Sequence, residues 1–392
     1  MDPFEVRNSF EHLDKLSYDI GPRLAGTGRS RQASEYIKQQ FDDFGLETRF
    51  QVFDFVNSIK KVRARVTLLV VIFIASLFMN LYLNPLLTLT IVLSGYGVAY
   101  VLPRFLPKEK DRNVIGTLKQ EGEAEKQILV GAHYDSANCI KGRKLGSFFG
   151  ISLRIVLAGF IGLLISTVFI GKEIWLVGWL VTAVPYLFVC TLPFWFYEDL
   201  VSPGADDNAS GVSVMLEVAR VCSEYPPENV EITFVGFGAE EQGLKGSEAF
   251  LNKFPAPDLF LNIDSVGGGD ELSVIQGNGV IRKHRTTSKL NSRIREEGNI
   301  KNIWTPLAGH DHIPFLEKNV ESTTLSSSET GSGNSLDRFF EKIFKLSNVR
   351  SDRLSHLHTI GDVPEKIKLE NIKNSGEITL SLLEINEKEG TA

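Results

Sequence analysis

The sequence predicts an α/β domain interrupted twice by hydrophobic helical hairpins. Three observations carry that expectation. Segments with strand character alternate with segments of helical period, which implies a largely parallel sheet with helices on both faces. Four apolar runs stand in two pairs, each run close to the ~20 residues that a membrane-spanning helix needs. Acidic or histidine-bearing motifs fall at or near the ends of expected elements, mostly strands, and open α/β sheets bind their ligands at the carboxyl ends of strands.

The elements follow in order. Phe10, Leu13 and Leu16 fall near helical spacing. GPRLAGTGRS is Gly-rich and reads as a loop. SRQASEYIKQQFDDFG puts Ala33, Tyr36, Ile37 and Phe41 on one helical face, with Ser30 as the expected cap and Gly45 just past the end. ETRFQVFDF alternates like a strand. NVIGTLKQ and KQILVGAHYDS read as two more strands, GVSVMLEVARVC as a helix, and VEITFVGFG and LFLNIDSVG as buried strands. ELSVIQ and ESTTLS complete the strands, with a helix starting at HIPFLEKN. SSSETGSGNS is a polar loop. A final helix is expected from about Lys366 to Glu387.

The apolar runs are Val66–Leu83 and Leu86–Leu102, joined at Asn84-Pro85, and Phe148–Ile170 and Ile174–Phe196, joined at Gly171-Lys172-Glu173. They read as two transmembrane hairpins, residues 60–106 and 147–198, inserted in one soluble domain formed by 1–59, 107–146 and 199–392. Buried core helices would explain one such run better than two adjacent pairs. Trp175, Trp179, Trp195 and Tyr197 sit near run ends, where amphipathic rings favour the interface. Positive charge marks the cytoplasmic side. Lys60, Lys61, Arg63, Arg65, Arg104, Lys108, Lys110, Arg112, Lys141, Arg143, Lys144 and Arg154 lie on the domain side, and Lys172 alone lies opposite. The expectation is an integral membrane protein of four spans with a cytoplasmic domain. The same cations could hold the domain against anionic headgroups.

Composition excludes other classes. A formal net charge of −6 gives no nucleic-acid footprint. Cys139, Cys190 and Cys222 form neither a disulfide framework nor a CxxC metal site. The N-terminus has no basic start followed by an apolar core, so no leader peptide is expected.

Five motifs carry chemistry: GAHYDS (His133, Asp135), PGADDNASG (Asp206, Asp207), GAEEQGLKGS (Glu240, Glu241), LNIDSVG (Asp264) and HLHTIGD (His356, His358). Each alone has an ordinary explanation. HxD is commonly a hydrogen-bonded loop pair, paired glutamates a solvated helix face, and Asp207 or Asn208 a cap for the helix that follows. Together they supply about five imidazole and carboxylate ligands plus a base, the set two zinc ions sharing one carboxylate would need. Metal and base together could activate water for hydrolysis.

These strings resemble the zinc aminopeptidase family, peptidase family M-28, which also includes glutamate carboxypeptidase and glutaminyl cyclase. The resemblance runs from GPRLAGTGRSRQASEYI to HTIGDVPEKI and is most specific at PGADDNASG and AEEQGLKGS. It implies a three-layer α/β/α fold with a central, mostly parallel mixed sheet. It implies two Zn2+ ions, with His133 and Asp264 on one, Glu241 and His358 on the other, and Asp207 bridging ahead of a cis peptide to Asn208. Glu240 would be the general base and Asp135 the carboxylate orienting His133. His356 is the runner-up to His358. HDHIPF resembles an SDH-type segment, so Asp311 and His312 are expected at the pocket, with His310 a departure from the pattern. The implied activity is removal of N-terminal residues from peptides.

Alternatives remain open at this point. Glutaminyl cyclase-like acyl transfer fits HDHIPFL but not ADDNASG or Leu357 before His358. Carboxypeptidase action would want arginines near the motifs. A non-catalytic membrane scaffold would not need the intact ligand positions. The second hairpin separates GAHYDS from PGADDNASG, which suggests a hydrophobic or membrane-derived peptide as substrate, or only an anchor. Oligomeric state is not legible.

Overall fold

A computed structural model describes residues 3–118, 124–140, 143–171, 173–298, 300–330, 333–350 and 354–383. Lys141, Lys172 and residues 384–387 lie outside the described residues, as do the side chains of Arg143, Lys144, Trp195 and Tyr197. The chain divides into two compact units. One is formed by Met1–Phe55, Lys110–Asn138 and Leu200–Ala392, the other by Val56–Glu109 and Cys139–Asp199.

The first unit is built on a mixed sheet. Its strands in chain order are β1 (Glu47–Phe55), β2 (Glu109–Thr117), β3 (Lys126–His133), β4 (Val230–Phe237), β5 (Leu259–Ile263), β6 (Glu271–Asn278), β7 (His284–Arg285), β8 (Lys301–Thr305) and β9 (Glu321–Ser328). The spatial order is β1-β2-β4-β3-β5-β9-β6-β8, with β7 on β6. The central pairs β3/β4, β3/β5 and β5/β9 are parallel; β2/β4 and β6/β9 are antiparallel. The expected mostly parallel mixed sheet is present.

Strand period explains the layers, because successive side chains point to opposite faces. Ile128, Val130, Ile232, Phe234, Leu259 and Leu261 pack into one core, with Leu13, Phe41, Leu216, Leu290 and Ile372 from helices. Their neighbours Leu129, Val235, Phe237 and Phe260 pack into a second core with Phe250 and Phe315. Helices therefore cover both faces. The aromatic rings of the second core leave no room for a side chain at residue 131. A Cβ on Gly131 would lie 2.5 Å from Phe237 and 2.9 Å from Phe260.

Several boundaries differ from the sequence reading. The second helix runs Gly28–Asp43 and is capped by Thr27, whose side chain accepts from the Ser30 amide. Ser30 cannot serve as the cap because its hydroxyl donates to buried Asp111. The last helix spans Leu369–Leu382. Helices Lys245–Lys253, Ser288–Glu296 and Ser335–Phe344 and strand β8 were not legible. All three helices are only nine or ten residues long, under three turns over which a period can be read.

The second unit contains helices Ser58–Tyr82, Pro85–Val101, Arg143–Ile170 and Glu173–Phe196. Each holds a stretch long and apolar enough to cross a membrane: Ser58–Asn80, Ser152–Ile170 and Glu173–Phe194 inside their helices, and Pro85–Phe105 running just past the second. The first helix starts eight residues before its apolar run. Asn57 accepts from the Lys60 amide, and lysine and arginine are good helix formers. Aromatic stacking joins the helices. Phe73 lies 4.1 Å from Tyr186 and 4.7 Å from Trp179, ring centre to ring centre. The Tyr186 hydroxyl donates to the Leu69 carbonyl at 3.1 Å.

One packing feature gives a pH test. His12 is buried beside the Tyr36 hydroxyl, 2.7 Å from its Nδ1, and burial lowers it to about 4. The unfolded chain then binds the extra proton below pH 6.5, so stability falls as pH drops from 6.5 towards 4. His12→Gln cannot charge. Its stability relative to the parent, followed by thermal unfolding in detergent, should improve by about 3 kcal/mol between pH 7 and pH 4. A constant difference would exclude a buried neutral His12.

Candidate functional site

The first unit gathers the acidic and histidine motifs at the carboxyl ends of parallel strands. His133 ends β3, Glu240 and Glu241 follow β4, and Asp264 follows β5. Asp207 lies in the turn Ala205–Ser210, ahead of helix Gly211–Glu224. Helix and strand approach closely there: a Cβ on Gly211 would meet the Ile263 carbonyl at 2.3 Å. The Asp207–Asn208 peptide is cis. Asn208 Oδ1 accepts from the amide of Gly211, the first residue of the helix.

Asp207 divides its carboxylate between two groups. Its Oδ1 lies 3.1 Å from His133 Nε2, and its Oδ2 lies 2.9 Å from His358 Nε2. Asp264 Oδ1 stands 3.9 Å from His133 Nε2, and Glu241 Oε1 stands 3.3 Å from His358 Nε2. The two triads are His133–Asp207–Asp264 and Asp207–Glu241–His358, each with ligand atoms within 4.8 Å of one another. Zinc bonds of ~2.1 Å in a tetrahedron separate ligand atoms by about 3.4 Å, and the four separations above run from 2.9 to 3.9 Å. Glu241 Oε1 is buried without a hydrogen-bond donor. Each triad could therefore hold a metal ion. The first triad is closed, with His133 almost wholly buried. The second is more open, with the His358 side chain 29% exposed.

A polar framework holds these groups. His133 Nδ1 donates to the Asp135 carbonyl at 3.1 Å. The Asp135 carboxylate accepts the amides of Glu240 and Glu241 at 3.0 and 3.2 Å. Asp135 thus positions the two glutamates as well as standing beside His133. Asp362 accepts the amides of Asp206 and Asp207. Asp206 accepts the amides of Gly267 and Gly268, and its other oxygen holds His356 Nε2 at 3.0 Å. His356 is thereby drawn to the framework, apart from both triads.

The HDH segment divides its duties. His310 Nδ1 donates to Asp264 Oδ2 at 2.7 Å, both groups buried. Asp311 is fully buried, with Oδ1 accepting from the Ser247 hydroxyl and Oδ2 without a donor. Burial, with Asp135 and Asp264 adding to it, pushes its carboxyl up to about 7. His312 donates from Nε2 to Asn278 Oδ1 at 2.7 Å and accepts from Thr324 through Nδ1. Its ring is consumed by the wall behind the cluster. Burial, reinforced by Glu241, Asp311 and Asp264, also raises the Glu240 carboxyl well above the usual range, against the pull of His133. Such an excess of buried acid is what divalent cations would neutralise.

Sequence reasoning assigned no role to Arg23, Asp362 or His310. Arg23 is fully buried and donates to the carbonyls of Leu16, Gly21, Tyr134, Pro203 and Gly204. It sits in the Gly-rich GPRLAGTG loop, and one arginine among glycines was the available signal. Asp362 closes the HTIGD string four residues after His358.

The architecture is that of the zinc aminopeptidases. A solved zinc aminopeptidase of Bacillus subtilis superposes with a TM-score of 0.58 at 17% identity, covering 100% of this chain and 97% of its own. A glutaminyl cyclase of Porphyromonas gingivalis gives 0.56 at 15% identity, covering 98% and 99%. Residues 188–383, half of the chain, match Peptidase family M28, and the chain belongs to that family. Aminopeptidase YwaD of Bacillus subtilis is 37% identical over 134 residues, 31% of this chain and 28% of its own. Mouse endoplasmic reticulum metallopeptidase 1 is 43% identical over 76 residues, 18% of this chain and 8% of its own. The matched stretches thus span under a third of each of these two relatives.

Arg23 yields a prediction for the framework. Arg23→Met leaves five carbonyls short of a donor in a dry site, and unpaired buried groups cost ~1–3 kcal/mol each. The variant should unfold at least ~3 kcal/mol more easily in denaturant melts. A loss below ~1 kcal/mol would show that water replaces the guanidinium.

Proposed function

We propose that the first unit is the catalytic domain of a dinuclear zinc aminopeptidase and that the second unit anchors it in a membrane through four spans. The observation that carries the metal reading is the divided carboxylate of Asp207, one oxygen beside each histidine triad. His133 and Asp264 would hold one ion, Glu241 and His358 the other, and Asp207 both. When bound, the ions would supply Lewis acidity and a water of lowered pKa.

The chain's own groups do the rest. Glu240 takes a proton from the attacking water and delivers it to the departing amine nitrogen, as a buried carboxyl of raised affinity for protons can. Asp135 fixes the main chain of Glu240 and Glu241, so base and ligand share one support. The charge of the cluster favours a free amino terminus over a carboxyl terminus. Arg23 is wholly used by carbonyls, whereas Asp311 Oδ2, outside both triads, lacks a donor. A substrate ammonium finds partners here and a substrate carboxylate does not.

The insertion point supports a peptide reached at the bilayer. Ser136 donates to the Ser202 carbonyl, and Ser202 donates to the Ala137 and Thr359 carbonyls. The ends of the second insertion are thus tied beside His133 and His358 within the first unit. The charge asymmetry, carried by Lys60, Lys61, Arg63, Arg65, Arg104 and Lys108 among others, supports a cytoplasmic catalytic domain. In sealed vesicles of known orientation, protease should reach the domain only from the cytoplasmic face.

The enzymatic test is a peptide mixture read by mass spectrometry, with free, acetylated and Gln-initiated N-termini. Stepwise N-terminal loss, abolished by chelation and reduced at least ~100-fold by Glu240→Gln, is the expected result. Ammonia loss from N-terminal Gln would instead establish cyclase chemistry. Metal analysis should return two zinc ions per chain. His310→Phe should lower zinc affinity by ~10–100-fold in chelator competition, with recovery in His310→Asn, since a partner of a ligating group typically contributes that much.

A further inference from the structure

Arg65, Tyr100 and Arg104 form a cationic cluster. The Arg65 guanidinium lies 4.5 Å from the centre of the Tyr100 ring, and the Arg104 guanidinium lies 5.1 Å from it. Cation–π contact explains how one ring holds each arginine. It does not explain why two like charges are gathered on the same ring. Among the described residues neither arginine has a carboxylate partner, whereas nearby Lys60 pairs with Glu109 at 2.8 Å. Arg65 Nε is moreover buried without an acceptor. A buried donor without an acceptor costs free energy unless a ligand supplies one.

Position in the hairpin identifies that ligand. Arg65 and Arg104 stand about twenty residues on either side of Asn84, the turn of the first hairpin. At ~1.5 Å per residue each is about 30 Å from the turn, which is one hydrocarbon thickness. The pair therefore falls at headgroup depth. Tyr100 is 55% exposed and Phe105 77% exposed, as expected of rings that face lipid or the interface. Phosphate matches the planar donors of arginine, and a net negative headgroup balances two cations better than a zwitterion does.

We propose that Arg65 and Arg104, arranged on Tyr100, form a binding site for the headgroup of an anionic phospholipid. This rests on reading the second unit as membrane-spanning. That reading is tested separately: alkaline carbonate should leave the protein in the membrane pellet, and release into the supernatant would refute the anchor itself.

The lipid site is tested by native mass spectrometry of the detergent-purified full chain. Equimolar phosphatidylglycerol and phosphatidylcholine with the same acyl chains are supplied together. The expected result is roughly thirtyfold preferential retention of phosphatidylglycerol, the order of effect of two cations at a membrane surface. Arg65→Gln/Arg104→Gln should abolish the preference, and Arg65→Lys/Arg104→Lys should keep most of it. Inorganic phosphate at millimolar concentration should not displace the lipid, because it lacks the acyl chains. Equal retention of the two lipids by the parent protein would overturn the proposal without any variant. So would an unchanged preference in the double Gln variant, and displacement by phosphate alone would reassign the site to the free anion.

Discussion

Holding several carboxylates together in a buried cleft is the constraint on which the first unit depends. Like charges repel, and repulsion grows as the local dielectric falls. Asp207, Asp264, Glu241, Glu240, Asp135 and Asp311 all stand in or beside the same cleft. The chain answers with directed donors. Asp135 takes two amides of the Glu240 turn, Asp362 takes two of the Asp207 turn, and Asp206 takes two of the glycine turn after β5. Asp135, Asp362 and Asp206 thus each fix the main chain of a loop at the cleft.

The sheet makes this possible. Parallel strands β3, β4 and β5 end at one edge, so three loops from distant parts of the chain emerge side by side. Glycines let the loops and helices close in. Gly268 has Asp206 Oδ2 at 2.4 Å and His356 at 2.7 Å from where a Cβ would lie, so any side chain there would break the Asp206–His356 pair. Arg23 fastens the N-terminal loop to the strand β3 exit and to the loop before Asp206 through carbonyls alone. It adds positive potential without spending a carboxylate.

The second unit follows a different physics. Its helices gain little from apolar burial if lipid surrounds them, so packing and aromatic contact must join them. Phe73, Phe160, Trp179 and Tyr186 provide that contact. Its charges are confined to the ends, where arginine can lie along apolar surface and keep its head polar.

The sequence by itself determined the alternation of strands and helices, the four apolar runs and the chemistry-bearing motifs. Those features are local: a period of two or near 3.6, a run of apolar residues, an acid flanked by glycine. Tertiary structure decided which acids face one another. His356 and His358 are two residues apart in the string HLHTIGD, yet one turns to Asp206 and the other to Asp207 and Glu241. Thr27 took the cap from Ser30 because Asp111, far along the chain, claims the Ser30 hydroxyl. His310 gained a partner in Asp264 that no spacing announces. In each case the deciding contact joins residues separated by tens to hundreds of positions, and only the folded sheet brings their side chains within hydrogen-bonding distance.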